Sequence, residues 1–248
     1  MIILKSQDEI KRISEACLIV AETLELIKKI VVPGITTVEL DRFAESFIAS
    51  KNAAPAFKGY RGYPASLCAS INEEVVHGIP SSTKLKEGDI ISLDVGVYYK
   101  GFYGDAALTV PVGKAGEEVK KLLSVTEEAL YRGIENAFIG KRLFDISFAI
   151  QSHVEDAGFS VVRNFVGHGI GRELHEEPQL PNFGRPGEGS ALMEGMTLAI
   201  EPMVNTGGWE VVILDNSWTA VTKDKSLSAH FEHTVAIMSE GPKTLTKI

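Results

Sequence analysis

The sequence has few cysteines, no long apolar run and no excess of basic residues. Its two cysteines, Cys17 and Cys68, are too few for a disulfide framework and indicate a reducing compartment. Charged residues interrupt the first twelve positions, and no run approaches the about 18 apolar residues of a membrane span, so neither a signal peptide nor a membrane partner is expected. A cytoplasmic location is predicted.

Acidic residues outnumber basic ones, 33 to 25, and the net charge is −8. Direct binding to nucleic acid is therefore not expected, because phosphate contacts need clustered Lys and Arg. The hydrophobic content of 44% is close to the average of globular proteins. A chain of 248 residues can bury a substantial core, in one large domain or two small ones.

The stretch ISLDVGVYYKGFYGDAALT, residues 91–109, predicts two strands joined by a turn at Lys100 and Gly101. Each strand carries one aspartate, Asp94 and Asp105, among apolar residues. Two carboxylates buried side by side are strongly disfavoured unless they are paired or bind a metal. We therefore expect a cation between them.

Three later segments can complete such a site: VGHGIG with His168, AIEPM with Glu201 and HFEHT with Glu232. Each places one hard ligand among strand-forming or glycine-rich neighbours. The four carboxylates of the set bring about four negative charges, which two divalent cations would neutralise. Carboxylate-rich sites with one imidazole suit a two-metal hydrolytic centre, whereas a structural zinc site has Cys and His at short spacings.

The remaining chain predicts four helices, a long loop and further strands. Capping boxes at Ser6 and Thr36 begin the first two helices, and two more are predicted over 116–136 and 145–157. The apolar stripe predicted for the second helix consists of Leu40, Phe43, Phe47 and Ile48. Residues 165–189 predict a Gly- and Pro-rich loop without secondary structure. A single final strand, SAHFEHTVAIM, is predicted with His230 and Glu232 on one face.

The segments SLDVG, GDAALT, VGHGIGRELHEEP, AIEPM and SAHFEHT, in this order, resemble the type I methionine aminopeptidases of the bacterial kind, in peptidase family M24. The resemblance covers nearly the whole chain. It implies an α+β pita-bread (creatinase/aminopeptidase) fold, with a pseudo-two-fold central antiparallel sheet flanked by helices. Weak internal echoes, such as EGDIISLD and EGMTLAIE, fit one catalytic domain over 1–248 made of two halves, about 1–110 and 111–248.

The resemblance also implies the ligands and the chemistry. Two divalent ions, of Co, Mn, Fe or Zn, would be held by Asp94, Asp105, His168, Glu201 and Glu232, with Asp105 and Glu232 bridging. A metal-activated water would attack the first peptide bond and release the initiator methionine when the second residue is small. Glu201 is expected to act as proton shuttle, and His77 and His175 to hydrogen-bond the substrate and the developing oxyanion.

The resemblance also implies a pocket for the methionine side chain of the substrate. The matching positions are Tyr60, Tyr63 and Cys68, although aromatic residues beside glycines also suit plain turn and packing roles. Phe57, Leu174 and Trp218 fall where pocket or rim residues are expected. Arg61 stands where the family often has histidine, and Leu174 where it often has an aromatic residue. Both departures concern the shape of the pocket and leave the chemistry intact.

The partners that the resemblance implies are nascent polypeptides with an N-terminal methionine, which the protein would bind close to the ribosome. A monomer is the default expectation. Two rival readings stay open. A proline-directed aminopeptidase or dipeptidase of the same fold shares the five ligands, although such enzymes generally carry a large additional N-terminal domain. A non-enzymatic binding protein with a degraded site is the other rival, and failure to bind metal would favour it.

Overall fold

Four α-helices, one 3₁₀ turn and fifteen strands follow one another along residues 1–247, which the computed structural model describes. The helices are α1 (Gln7–Ile30), α2 (Thr37–Ser50), α3 (Glu117–Glu135) and α4 (Leu143–Asp156), and the 3₁₀ turn is Tyr60–Gly62. The strands are β1 (Ala54–Pro55), β2 (Cys68–Ile71), β3 (Glu74–Val76), β4 (Ile90–Tyr99), β5 (Phe102–Pro111), β6 (Ser160–Val161), β7 (Gly167–Gly169), β8 (Glu176–Leu180), β9 (Thr197–Ile200), β10 (Met203–Asn205), β11 (Val211–Ile213), β12 (Ala220–Thr222), β13 (Ser228–His230), β14 (Glu232–Met238) and β15 (Gly241–Thr244).

A nine-stranded antiparallel sheet is the centre of the fold. Its main order is β1-β4-β5-β14-β9-β7-β8, with β2 also pairing with β4 and β15 with β14. Two three-stranded sheets, β13-β10-β6 and β11-β12-β3, adjoin it. Helix α1 packs on β4, β5 and α2, and α3 packs on α4, so helices flank the sheet. No helix among residues 1–247 is long and apolar enough to cross a membrane.

The predicted hairpin of residues 91–109 is confirmed and forms the longest paired segment. Strands β4 and β5 pair over their full lengths, from Ile90 opposite Pro111 to Tyr99 opposite Phe102. Lys100 and Gly101 have φ angles of 48° and 87°, which suits a tight turn that matches the twist of the strands. The two predicted aspartates are therefore held on rigid, paired backbone.

Both predicted capping boxes are present, and one predicted helix face is wrong. The Ser6 and Thr36 side chains accept from the backbone N–H of the third helical residue, as predicted. In α2, however, Phe43 is 49% exposed, and Ala44 is fully buried in its place. Positions 40, 44 and 48 recur at four-residue spacing, so the small side chain of Ala44 belongs to the stripe that faces the core. The helices predicted over 116–136 and 145–157 are found within two residues of those limits.

Two strand predictions need correction. The predicted loop 165–189 contains β7 and β8, and glycine is required in β7 because a Cβ at Gly167 or Gly169 would lie 2.4 or 2.3 Å from a neighbouring carbonyl oxygen. The single strand predicted over SAHFEHTVAIM is interrupted at Phe231, because β13 pairs in a small sheet and β14 in the large one. The predicted alternation survives, since His230 and Glu232 both line the site cavity and Phe231 and His233 do not.

Candidate metal centre

Five adjacent strands each bring one predicted metal ligand to the same face of the sheet. On the β4-β5 hairpin, Asp94 lies opposite Ala107 and Asp105 lies opposite Gly96. Residues directly opposite each other, or two apart on a strand, share a face, so both aspartates point to one side. Glu232 on β14 also lies opposite Ala107 and joins them there.

The same register continues to the far strands. His233 pairs with Ile200, so Glu232 falls beside Glu201, the residue that follows β9. His168 on β7 pairs with Ala199, two residues before Glu201. Antiparallel pairing thus gathers all five side chains, although up to 138 positions separate them in the sequence (232 − 94).

Distances within this cluster suit metal binding. One ligand atom each from Asp105, His168 and Glu232 lie within 4.8 Å of one another. Nε2 of His168 is 3.5 Å from Oε1 of Glu201. Ligands of one ion stand about 2.0 to 2.6 Å from it, so two of them are separated by at most about 4 to 5 Å. The cluster has the donors and the spacing for a hard or borderline divalent ion.

Unsatisfied polar atoms provide an independent test of that fit. Among residues 1–247, buried oxygens of Asp94, Asp105 and Glu232 have no hydrogen-bond donor. Asp105 and Glu232 are only 4% and 2% exposed, so bulk water does not reach these oxygens to donate a hydrogen bond. Such orphaned carboxylate oxygens are costly in a protein interior, and a bound cation would satisfy them. The residues present therefore fit a metal.

The ionisation of the cluster follows from burial and repulsion. Burial raises the pKa of Asp94 to about 7. Burial, followed by the charges of Glu232 and Asp94, raises the pKa of Asp105 well above its usual range. Burial, reinforced by neighbouring carboxylates, acts in the same direction on the pKa values of Glu201 and Glu232. A metal ion would reverse these shifts, since binding needs the deprotonated carboxylates.

His168 is neutral and has one ring nitrogen free to bind a metal. Its Nδ1 lies 2.9 Å from the carbonyl oxygen of Gly169, which can only accept, so Nδ1 carries the proton. Burial lowers the pKa of His168 to about 4. Nε2 is then the free lone pair, and it is the atom that faces Glu201. Such a hydrogen bond fixes the tautomer of a metal-binding histidine.

An apolar wall faces the carboxylates across a cavity of about 200 Å³. Phe57, Tyr63, Cys68 and Leu174 belong to one buried cluster there, with Trp218 packed against it. Cys68 lies opposite Asp94 across β2 and β4, so it faces the same side of the sheet. The aromatic, sulfur-containing wall suits an apolar thioether side chain.

Tyr63 contributes its ring rather than its hydroxyl. The Tyr63 hydroxyl donates its hydrogen bond to the carbonyl oxygens of Leu67 and Gly78, at 3.1 and 2.9 Å, and is not free to bind a substrate. The ring meets Trp218 edge to face, with the ring centroids 5.1 Å apart. Both cysteines, Cys17 and Cys68, are free and buried.

Two further histidines line the opening of the cavity. Nδ1 of His175 is 2.8 Å from the Tyr60 hydroxyl, and the rings of His175 and His168 are 4.3 Å apart. Partial burial and the nearby His168 and Arg61 lower the pKa of His175 to about 3. His77 has a φ of 61°, and burial lowers its pKa as well. Both imidazoles are neutral near pH 7 and can donate hydrogen bonds from N–H.

All thirteen residues predicted for the site line this one cavity. Five other lining residues were not predicted as site residues: Arg61, Val76, Phe165, Val166 and His230. His230 is 2% exposed, its Nε2 has no hydrogen-bond partner in the described chain, and that atom is 3.8 Å from Oε2 of Glu201. Its place two residues before Glu232 on the same face was a sufficient signal to include it.

Comparison with known proteins agrees with this geometry. Residues 11–239 match the profile of metallopeptidase family M24. The methionine aminopeptidase of Clostridium perfringens is 58% identical over 100% of both chains, and methionine aminopeptidase 1 of Bacillus subtilis is 53% identical over 100% of both. A crystal structure of methionine aminopeptidase from Thermotoga maritima superposes with a TM-score of 0.98 at 50% identity, covering 100% of each chain.

Fold and site together define a metal-dependent peptidase. The chain belongs to metallopeptidase family M24. The predicted pita-bread fold, a curled antiparallel sheet flanked by helices, is confirmed. The predicted resemblance to bacterial methionine aminopeptidases and the prediction of a metallopeptidase are confirmed as well.

Proposed function

We propose that this protein removes the N-terminal methionine from polypeptides whose second residue is small. The observation that carries the proposal is one cavity with two unlike walls, one of carboxylates and one of aromatic and sulfur-containing side chains. Identities of 53 to 58% to methionine aminopeptidases over the full chain support this substrate.

Two divalent ions are proposed for the carboxylate wall, held by Asp94, Asp105, His168, Glu201 and Glu232. Four carboxylates offer about four negative charges, which two such ions neutralise. When bound, the metal supplies an activated water and polarises the substrate carbonyl. Co, Mn, Fe and Zn are all compatible with these oxygen and imidazole donors.

The chain itself provides proton transfer and oxyanion binding. Glu201 would accept a proton from the attacking water at a carboxylate oxygen and pass it to the leaving amine, which a deprotonated carboxylate that lines the cavity can do. His77 and His175 would donate N–H hydrogen bonds to the substrate carbonyl and to the tetrahedral oxyanion. Their lowered pKa values keep them neutral, so they add no charge that would repel a cation.

The methionine side chain would enter between Phe57, Tyr63, Cys68, Leu174 and Trp218. A linear thioether can follow such a narrow apolar cavity, whereas a charged side chain would lose its hydration there. Tyr60 and Arg61 stand at the opening, where Arg61 Cζ lies 5.3 Å from the Tyr60 ring centroid. This rim would contact the residues that follow the methionine.

The chain is further proposed to be one catalytic domain of two similar halves, about 1–110 and 111–248. Support comes from paired features: Gly34 and Gly140 share a φ of 96°, and Gly88 and Gly195 have φ of 89° and 86°. Ile248, the last residue of the range, lies outside the described residues. We further propose that the protein is a cytoplasmic monomer that acts on nascent chains close to the ribosome.

Hydrolysis of two peptides tests the function. We expect the metal-loaded protein to release methionine from Met-Ala-Ser, to lose this activity with a chelator and to regain it when metal is restored. An Xaa-Pro peptide with a non-methionine first residue should stay intact, which serves as the substrate control. Cleavage of the Xaa-Pro peptide instead would keep the metal centre and overturn the substrate. Metal binding without cleavage of either peptide would favour a binding protein.

A further inference from the structure

A buried ion pair joins the segment before α1 to the loop that carries His175. Nζ of Lys5 contacts Oε2 of Glu176, and the two side chains are 2% and 4% exposed. Lys5 is fixed by two more hydrogen bonds, from its Nζ to the carbonyl of Ile3 at 2.9 Å and from its backbone N–H to the carbonyl of Gly195 at 2.7 Å. The lysine is therefore held from its backbone as well as from its ammonium group.

Glu176 uses its other oxygen to shape the loop. Oε1 of Glu176 accepts hydrogen bonds from the backbone N–H groups of Arg172 and Glu173, at 2.8 and 3.2 Å. These bonds close residues 172–176 into a compact turn around one carboxylate. A buried carboxylate can hold this geometry only while its charge is compensated, and Lys5 is the cation that contacts it.

That loop places two side chains in the proposed substrate site. Leu174 is 1% exposed in the apolar wall, and His175 bonds to the Tyr60 hydroxyl at 2.8 Å. His175 is the residue directly before Glu176, so movement of the Glu176 carboxylate would move the imidazole with it. Positioning errors near 1 Å can lower catalytic rates by up to about 100-fold.

The Lys5 side chain packs closely against the loop that contains Gly171. A Cβ at Gly171 would lie 2.4 Å from Cε of Lys5, so a larger residue there would displace the lysine from its position beside Glu176. A second tie runs alongside it, since Nη2 of Arg172 donates to Oε1 of Glu9 at 2.9 Å. Both ties connect residues 5–9 to residues 172–176.

We infer that Lys5 is a positioning residue for His175 and acts by compensating the buried carboxylate of Glu176. The inference rests on the proposed substrate-binding role of His175. In the absence of the ammonium group, Glu176 would turn toward water and release the Arg172 and Glu173 amides. The loop would then lose its shape while the metal ligands on the strands keep theirs.

A double-mutant cycle between Lys5 and His175 tests the inference. We expect Lys5→Met to lower kcat/KM for Met-Ala-Ser by about 10- to 100-fold, with metal content unchanged. In the His175→Ala background the same substitution should lower kcat/KM by a much smaller factor, because the route through His175 is already lost and only the displacement of Leu174 remains. If Lys5→Met lowers kcat/KM by the same factor in the His175→Ala background as in the wild type, the inference is wrong, whereas the proposed role of His175 is unaffected. A His175→Ala variant with wild-type kcat/KM would overturn the proposed role of His175, and the inference with it.

The double variant Lys5→Met/Glu176→Gln distinguishes the loss of charge compensation from a general folding defect. It buries no uncompensated charge, and the carboxamide oxygen of glutamine can still accept from both loop amides. We expect its kcat/KM to exceed that of Lys5→Met by about tenfold, and equal impairment of the two variants would contradict charge compensation.

Amide exchange offers a readout apart from activity. Hydrogen exchange of a peptide covering residues 170–176 should be faster in Lys5→Met than in the wild type and close to the wild type in the double variant. Lys100→Met, which removes an exposed ion pair with Glu15, is the matched control and should change neither exchange nor kcat/KM. Unchanged exchange of residues 170–176 in Lys5→Met would overturn the inference.

Discussion

Asp105→Asn is expected to abolish peptide hydrolysis, with kcat/KM lowered by at least about 10³-fold, which corresponds to several kcal/mol of lost transition-state stabilisation. The amide keeps the size of the side chain but removes one charge from the tightest part of the cluster, beside His168 and Glu232. Metal content by elemental analysis should fall below that of the wild type. Asp156→Asn, an exposed change on α4, is the control. Full activity with wild-type metal content would contradict the assignment of Asp105.

The same variant is expected to be more stable than the wild type when both are metal-free. Since the folded-state pKa of Asp105 is raised, the folded protein holds this proton more tightly than the unfolded chain does, and stability falls as pH rises above about 4. Asparagine does not titrate, so the advantage of the variant should be small near pH 4 and grow toward pH 8. Thermal unfolding with chelator at both pH values measures it. A stability advantage that shrinks with pH would contradict the repulsion within the cluster.

Glu201→Gln is expected to lower kcat by about 10² to 10⁴-fold with a much smaller change in KM. Glutamine occupies the same volume near His168 and His230 but cannot take up a proton. Steady-state kinetics at saturating metal separates this loss from weakened metal binding. Glu240→Gln, an exposed change, is the control and should leave both constants unchanged. A wild-type kcat in Glu201→Gln would remove the proton-shuttle role.

Much of the candidate metal centre could be predicted because residues two apart along a strand lie on the same face of a sheet. The alternation of the sequence therefore shows which side chains share that face. The Asp94 and Asp105 hairpin had strand-forming residues, a glycine turn and two aspartates without an obvious partner, and it forms as predicted. Once strand order is known, register alone places Glu201 and Glu232 on the face of the aspartates. The local sequence shows the alternation along each strand, whereas the order of the strands in the sheet has no local signal and is seen only in the structure.

Other features depend on contacts between distant segments and have no local signal. Glycines in β7 read as loop residues, although they permit backbones to approach closely within a sheet. The interruption at Phe231 arises because β13 and β14 have different partners. Phe43 looked apolar enough for the core, but Ala44 has the position that faces it. The Lys5 and Glu176 pair joins residues 171 positions apart, and neither residue is unusual in its own segment.

Anomalous diffraction from crystals of this protein grown with Mn²⁺ would locate the metal ions. We expect two anomalous peaks on one face of the sheet, with Asp105 and Glu232 between them, Asp94 beside one ion, and His168 with Glu201 beside the other. Peaks that do not contact Asp105 and Glu232, or no peak in this cavity at a saturating concentration of metal, would contradict the assignment of this face as a two-metal hydrolytic centre.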